Sequence, residues 1–307
     1  MADVKTATWK RVVGYLAFSL FALIAAFFLT FPYDALKDRA KMEAAAAGYS
    51  LRIGGLGPGF FSVRATDVEI AKLTETEAPP EALKLDAVSI GPTLLPPGLG
   101  VTVKAMGGSI STRISGISTN RLRVVLDDVD LSKGNVKGFT GIDFAGTIDA
   151  AIDLSIPRAA VGTGPAEPDL GQASGTITLS TRDLTINGGT VSVPIPQYGP
   201  EPTPLDLPKI VIGEVSSKFT FDKGAGTVDE FKSKSADLEL ALSGTLKLAK
   251  RVEYIEPAME LRVKPDPEFQ KRLGLLGSAL SMLGPDPKDP TFRMGRLSGF
   301  LGKPQFR

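Results

Sequence analysis

The feature that most constrains this chain is an alternation of apolar and polar residues in several separate segments. In residues 238–248 every second position is leucine, apart from the glycine at 244. Successive side chains of a β-strand point to opposite faces of a sheet, so this spacing predicts strands with one apolar and one polar face. Such strands are typical of antiparallel sheets, in which one face is buried and the other is solvated.

Three segments carry this pattern most clearly. Their apolar faces consist of Leu122, Val124, Leu126, Ile148, Ile152, Leu154, Ile156, Leu238, Leu240, Leu242, Leu246 and Leu248. These faces have two interpretations. If a second layer covers them, they form a closed hydrophobic core. If they stay uncovered, they form an apolar groove that can hold acyl chains.

A second constraint is the run Val12–Phe31, which holds twenty residues without a charge. A hydrocarbon core of about 30 Å is spanned by roughly 20 apolar residues in a helix. The run continues into Pro32 without the small-residue exit of a cleaved signal peptide, which predicts an uncleaved anchor. The basic residues on its two sides are equal in number: Lys5, Lys10 and Arg11 before it, and Lys37, Arg39 and Lys41 after it. Only the free amino terminus favours an orientation with the N-terminus inside.

Two further segments have helical patterns. Asp34–Ala47 is rich in Ala, Leu, Lys and Glu and is followed by Gly48, which predicts a helix serving as a stalk or packed on the domain. Pro267–Gly284 carries an apolar stripe at spacings of three and four: Phe269, Leu273, Leu276, Leu280 and Leu283. A stripe of this kind usually covers the end of a sheet, and docking to a partner helix or membrane is the alternative.

Other residues predict where strands end or bend. The proline-rich stretches Pro157–Gly171 and Pro194–Pro208 predict long loops or extended lips. Asn187-Gly188, between apolar residues, predicts a tight hairpin. Breaks in the alternation at Thr66-Asp67 and Ala87-Val88 predict bulges or bends.

The residue content excludes several kinds of active site. The chain has no cysteine and no histidine, so thiolate nucleophiles and sites built on a histidine base or zinc ligand are absent. The net charge of +1 provides no global field that would attract nucleic acid. Asp127, Asp128 and Asp130 lack the spacing of a calcium loop, and we interpret them as a solvated turn. We predict no catalytic residue, cofactor or metal.

Five stretches carry a resemblance to a known family: Leu29–Lys37, Leu85–Ile90, Leu94–Gly98, Gly107–Ile110 and Gly295–Pro304. In these stretches the chain resembles the type II secretion system protein N family in its delta-proteobacterial form, and more broadly the AsmA-like proteins. The likeness covers most of the chain, and its motifs are structural. It implies an inner-membrane protein with its N-terminus in the cytoplasm and the bulk of the chain in the periplasm.

We therefore expect a mainly β protein in four parts. They are a cytoplasmic tail (1–11), a single transmembrane helix (12–31), a stalk helix (32–48) and a periplasmic β-rich domain (49–307). The last part would be a large curved antiparallel β-sheet of the AsmA-like kind with a short C-terminal helix.

The expected function is that of a non-enzymatic, bitopic inner-membrane component of the type II protein secretion system, with other secretion components as partners. The alternative is an AsmA-like periplasmic protein that binds or transfers lipid through an apolar groove, with phospholipid as its ligand. What covers the apolar strand faces discriminates between the two.

Overall fold

The computed structural model describes residues 30–59, 61–73, 82–116, 119–159, 167–193, 203–274 and 283–306, with residues 277 and 280 and nine positions between 12 and 26. Its strands are β1 (Tyr49–Gly59), β2 (Ser62–Lys72), β3 (Leu83–Leu94), β4 (Pro97–Ala105), β5 (Gly108–Ser115), β6 (Thr119–Asp130), β7 (Ile142–Ala159), β8 (Glu167–Pro168), β9 (Ser174–Val193), β10 (Thr203–Leu207), β11 (Ile210–Asp222), β12 (Ala225–Lys234), β13 (Leu238–Lys247), β14 (Glu256–Pro265), β15 (Gly284–Pro285), β16 (Arg293–Phe300) and β17 (Lys303–Phe306). The α-helices are α1 (Tyr33–Ala46), α2 (Val136–Thr140) and α3 (Pro267–Arg272). Short 3-10 turns lie at Leu131–Lys133, Leu170–Gln172 and Val252–Tyr254.

The long strands form one antiparallel sheet in which each strand pairs with the next along the chain. The order runs from β1 through β7 to β9, and then through β11, β12, β13, β14 and β16 to β17. The short strands β8, β10 and β15 pair with β7, β9 and β16. The predicted mainly β fold with a large antiparallel sheet is therefore confirmed.

The pairing register places the apolar residues of neighbouring strands side by side. Ile114 of β5 lies opposite Leu99 of β4 and Leu122 of β6. Leu122 in turn lies opposite Leu154 of β7. Side chains on one face of paired strands are in contact range, so the alternating pattern becomes apolar rows that cross the sheet.

Bulges in the long strands keep the apolar residues on that face. In β9 the apolar positions are odd-numbered before Asp183 (Ile177 and Leu179) and even-numbered after it (Leu184 and Ile186). Asp183 has a positive φ of 52°, and the β7–β9 ladder shifts register at this level. An extra residue in one strand reverses the side-chain phase, so the bulge corrects what would otherwise be a change of face.

The predicted break at Thr66-Asp67 is confirmed, because Asp67 has a φ of 51° and drops out of the β2–β3 ladder. The break predicted at Ala87-Val88 lies immediately before these two residues, at Asp86. Both residues pair in unbroken register with β4. The residue of β3 missing from the ladder is Asp86, which stands across from Asp67. The local distortion at Asp67 accounts for the change of phase in both strands.

Helices cover the apolar face at its two ends. The predicted helix over Asp34–Ala47 is observed as α1, whose Ala40 packs against the buried cluster of Ile53, Ala65 and Val68. Near the other end, Phe269 of α3 is almost fully buried. A central cluster contains Leu154, Phe221 and other residues. Between these regions Ile90, Leu99 and Ile114 are 45%, 49% and 45% exposed, so this part of the face lacks a cover among the described residues.

Two loop predictions differ from the structure. The hairpin predicted at Asn187-Gly188 is wrong: β9 continues through both residues and changes partner from β11 to β10. A tight type I′ turn needs positive φ at both central positions, and Asn187 lacks it. Part of the predicted loop Pro194–Pro208 is the strand β10, while residues 194–202 lie outside the described residues, as do 160–166 of the other stretch.

Nine of the twenty residues of the predicted anchor Val12–Phe31 also lie outside the described residues. Among those that are described, no helix combines the length and the apolar content needed to cross a membrane. The anchor stays a prediction.

Candidate functional site

An apolar cavity of about 400 Å³ lies between the C-terminal half of the sheet and the segment that begins with α3. All of the described residues that line it are aliphatic or aromatic: Ile186, Leu207, Ile210, Ile212, Leu238, Leu240, Val263, Phe269, Leu273, Leu280 and Leu283. No side chain of this lining can act as an acid, a base, a nucleophile or a metal ligand. The cavity can therefore recognise only apolar groups, by shape and by release of water.

The cavity lies where the sheet divides between β12 and β13. β12 stays paired with β11 as far as Lys234. Its pairing with β13 extends over only three residues and ends at Thr227 with Thr245. Beyond that point Leu238 and Leu240 of β13 line the same cavity as residues of β11. The separation of β12 from β13 thus opens the sheet on the apolar side.

The segment after β14 forms the outer wall of the cavity. Asp266 caps α3 by accepting a hydrogen bond from the Glu268 N–H at 2.9 Å, and Pro267 lies in the first turn. Phe269 and Leu273 are 1% and 5% exposed, and both line the cavity. The predicted stripe therefore faces the sheet, as expected of a segment that covers it, although Leu276 lies outside the described residues.

A buried carboxylate attaches this wall to the sheet. Asp237, which directly precedes β13, is 6% exposed. Its carboxylate accepts hydrogen bonds from the Val211 N–H at 2.6 Å and from the Arg272 guanidinium at 2.5 Å. Its backbone carbonyl accepts from the Asp266 N–H at 2.8 Å. One residue thus joins β11, β13 and α3 beside the cavity, and the buried charge is compensated.

The predicted apolar residues separate into three groups. Leu122, Ile152, Leu154, Ile156, Leu246 and Leu248 belong to the central cluster. Leu238 and Leu240 line the cavity. Val124, Leu126, Ile148 and Leu242 are half-buried, outside both of these groups. The predicted face is therefore a core along part of its length and a cavity wall in β13.

The sequence did not indicate Ile186, Leu207, Ile210 or Ile212 as site residues. Leu207 falls in a stretch predicted to be a loop, and the other three precede or follow register shifts in β9 and β11. The sequence signal that could have identified Ile210 and Ile212 is their alternation, which places both on the same face of a strand. The shift next to Gly213 separates this pair from the pattern of Phe219 and Phe221.

The acidic residues predicted to form a turn belong instead to the bulged end of β6. Asp128 pairs with Arg182, which also binds Asp149 at 2.9 Å. Asp130 accepts a hydrogen bond from the Ser132 hydroxyl at 2.6 Å, which lowers the pKa of Asp130. Among the residues that the structure describes, no three histidine, cysteine or acidic side chains are grouped so that they could hold a metal ion.

The fold and the site define a single-sheet antiparallel β-protein with an apolar cavity beneath a short helical segment. Comparison of the chain with models of protein families, with curated proteins and with solved structures finds no match. The resemblance to the type II secretion system protein N family therefore stays a prediction based on the sequence stretches quoted above.

Proposed function

We propose that this chain is a non-enzymatic, membrane-held lipid-binding protein whose apolar cavity takes an acyl chain of a phospholipid. The observation that carries the proposal is the composition of the cavity lining, whose described side chains are all apolar. A volume of about 400 Å³ lies within the range of small-molecule sites. Each acyl methylene that leaves water for such a lining contributes about 0.8 kcal/mol.

The uncovered part of the sheet supports the same function. Leu99 and Ile114 are direct cross-strand partners, and each is nearly half exposed. Ile90 on the neighbouring strand β3 is 45% exposed. Neighbouring exposed apolar side chains commonly mark a site for an apolar ligand or partner. An acyl chain lying along the sheet would remove this surface from water.

The N-terminal run supports a position at a membrane, where acyl chains are available. Its described residues up to Thr30 are helical, and Tyr15, Phe18, Phe21 and Leu23 are about 70% exposed. Large apolar side chains on the outside of a helix are favoured in lipid and disfavoured in water. This arrangement fits an anchor at Val12–Phe31.

Photocrosslinking tests the proposed cavity. The full-length protein in dodecyl maltoside is incubated with phosphatidylethanolamine that carries a diazirine near the end of one acyl chain. After irradiation, peptide mass spectrometry locates the label. We expect labelled peptides from β11, β13 and residues 267–283. In the double variant Leu238→Trp, Leu240→Trp this label should fall several-fold, because two indoles fill the cavity.

Leu242→Trp is the matched control, because Leu242 lies on the same face of β13 and does not line the cavity. It should keep the label. Thermal unfolding of each variant shows whether the fold is retained. The proposal is wrong if label appears only in residues 12–31, or if the folded double variant is labelled as strongly as the natural chain.

A second candidate function is that of a bitopic inner-membrane component of type II secretion. The quoted sequence stretches favour it, together with the order of an apolar run, a helix and a large antiparallel sheet, which the resemblance implies. Purification in mild detergent distinguishes the two. Recovery of identified secretion components supports this role, whereas phospholipid without such proteins supports lipid binding alone.

A further inference from the structure

A second and larger cavity, of about 670 Å³, lies on the polar face of strands β2–β6. Gly91 of β3 and Gly100 of β4 are direct partners in its lining, and the carbonyl oxygen of Phe61 lies close over Gly91, 2.6 Å from where a Cβ would be. Gly100 pairs in turn with Arg113 of β5, and Arg113 pairs with Arg123 of β6. The register therefore places the side chains of Arg113 and Arg123 next to each other in the cavity lining.

Arg123 has an acidic cross-strand partner, Asp153, whereas Arg113 pairs with Gly100 and with Arg123. Asp153 is bound by Arg121 through two hydrogen bonds of 2.8 Å, and the charge of Arg123 also helps to lower the Asp153 pKa. Arg113 and Arg123 make no hydrogen bond or ion pair to any described residue, and no described residue of the cavity lining is acidic. Like charges directly opposite each other destabilise a sheet, so an anion bound between Arg113 and Arg123 would relieve the repulsion between them.

A row of hydroxyl groups runs beside the arginines. Ser89, Thr102 and Ser111 are successive cross-strand partners, and all three line the cavity. Their hydroxyls make no hydrogen bond within the described part of the chain. They are free to donate to an oxyanion. The cavity thus combines two positively charged guanidinium groups with three neutral hydroxyl donors.

We propose that this cavity binds a phosphate group, carried either by a soluble molecule or by a lipid headgroup, with Arg113 and Arg123 as its principal ligands. Planar guanidinium groups bind phosphate oxygens through paired hydrogen bonds. The two guanidinium groups and the three hydroxyls supply more hydrogen-bond donors than the two oxygens of one carboxylate can accept. This number of donors favours phosphate over carboxylate. The cavity volume is that of an ordinary ligand site. It lies on the opposite face from the apolar cavity, so this inference goes beyond the proposed acyl-chain site.

Calorimetric titration of the full-length protein in dodecyl maltoside, at constant ionic strength, tests the site with two probes. The first is inorganic phosphate, and the second is phosphatidylglycerol in mixed micelles. We expect Arg113→Gln, Arg123→Gln to weaken binding of the effective probe at least about tenfold, the loss of one or more charge-assisted hydrogen bonds. The control Lys218→Gln, Lys232→Gln removes the same charge from the polar face of β11 and β12 and should bind like the natural chain.

The two probes distinguish the source of the phosphate. Binding of inorganic phosphate that the arginine variant loses assigns a soluble ligand. Loss of phosphatidylglycerol binding alone assigns a headgroup. Both variants are checked by thermal unfolding, and whichever probe binds should raise the Tm of the natural chain but not that of the arginine variant. If neither probe binds, or if the folded arginine variant binds as tightly as the lysine control, the site does not exist. The variant Leu238→Trp, Leu240→Trp should leave phosphate binding unchanged, so failure here is separable from failure of the acyl-chain proposal.

Discussion

Single glycines in strand interiors allow neighbouring backbones to approach more closely than a side chain would permit. A Cβ atom built on Gly175 would lie 2.0 Å from the carbonyl oxygen of Asp153, and one on Gly244 would lie 2.3 Å from that of Ala258. Both glycines have positive φ, at 148° and 127°. Each precedes a threonine, so the Gly-Thr pairs of the sequence mark places where adjacent strands are tightly apposed.

We expect Gly175→Ala to lower the free energy of unfolding by about 2–4 kcal/mol, because the added methyl overlaps the β7 backbone and the conformation disfavours a side chain. Urea unfolding of the full-length protein, followed by far-UV circular dichroism, measures the change. Gly57→Ala is the control, since a Cβ there has no neighbour within 4 Å. Its effect should stay within about 1 kcal/mol. Equal midpoints for the two variants would show that the close approach at Gly175 has no energetic consequence.

The elements are long strands whose bulges are aligned across neighbouring strands. Asp128 in β6 and Asp183 in β9 have φ values of 51° and 52°, and Gly146 in β7 and Gly213 in β11 also have positive φ. The ladders between these four strands shift register near these positions. Bulges that coincide in adjacent strands bend the sheet along one line and keep its apolar rows on one face.

The attachment of α3 to the sheet is a second feature of the individual elements. Asp237→Ala should lower the free energy of unfolding by about 2–3 kcal/mol, because it removes two hydrogen bonds and leaves the Val211 N–H unpaired. Arg272→Ala should cost less, about 1–2 kcal/mol, because Arg272 is half exposed. Both should reduce acyl-chain label in residues 267–283. Urea unfolding and the diazirine experiment measure the two effects.

Lys271→Ala is the matched control for the α3 attachment, since Lys271 lies next to Arg272 and its ion pair with Glu268 is well exposed. Its effect on stability should stay below about 1 kcal/mol, with the acyl-chain label unchanged. If Lys271→Ala and Arg272→Ala gave the same stability and the same acyl-chain label, the hydrogen bond between Arg272 and Asp237 would not hold the cavity wall in place.

At the scale of the whole molecule, the sheet has apolar cover at its ends and an uncovered stretch between them. Ala40 of α1 packs near β1, and Phe269 of α3 packs near β13. Ile90, Leu99 and Ile114 lie in the uncovered stretch. The molecule therefore presents apolar surface on the side that carries the candidate cavity, and polar surface with Arg113 and Arg123 on the other.

The predicted anchor determines where these surfaces operate. We expect the full-length protein to stay in the membrane fraction after extraction at alkaline pH, and protease added to spheroplasts to digest the β domain. The control Phe21→Asp, Leu23→Asp should release the protein, since an acidic residue at the centre of a span costs about 2.5–3.5 kcal/mol. A mature protein that lacks residues 1–31 would contradict the uncleaved anchor.

The sequence by itself determined the class of fold and the helix of α1, because strand alternation and helix propensity are local properties of the chain. Only the tertiary structure decided where the apolar cavity lies. Its walls depend on the register shift near Gly213 and on the parting of β12 from β13, which involve residues distant in sequence. Likewise, Arg113 and Arg123 are ten positions apart, and only the pairing of β5 with β6 brings them together. Strand pairing is a non-local choice that the pattern of a single strand leaves open, so the site could not be located from the sequence.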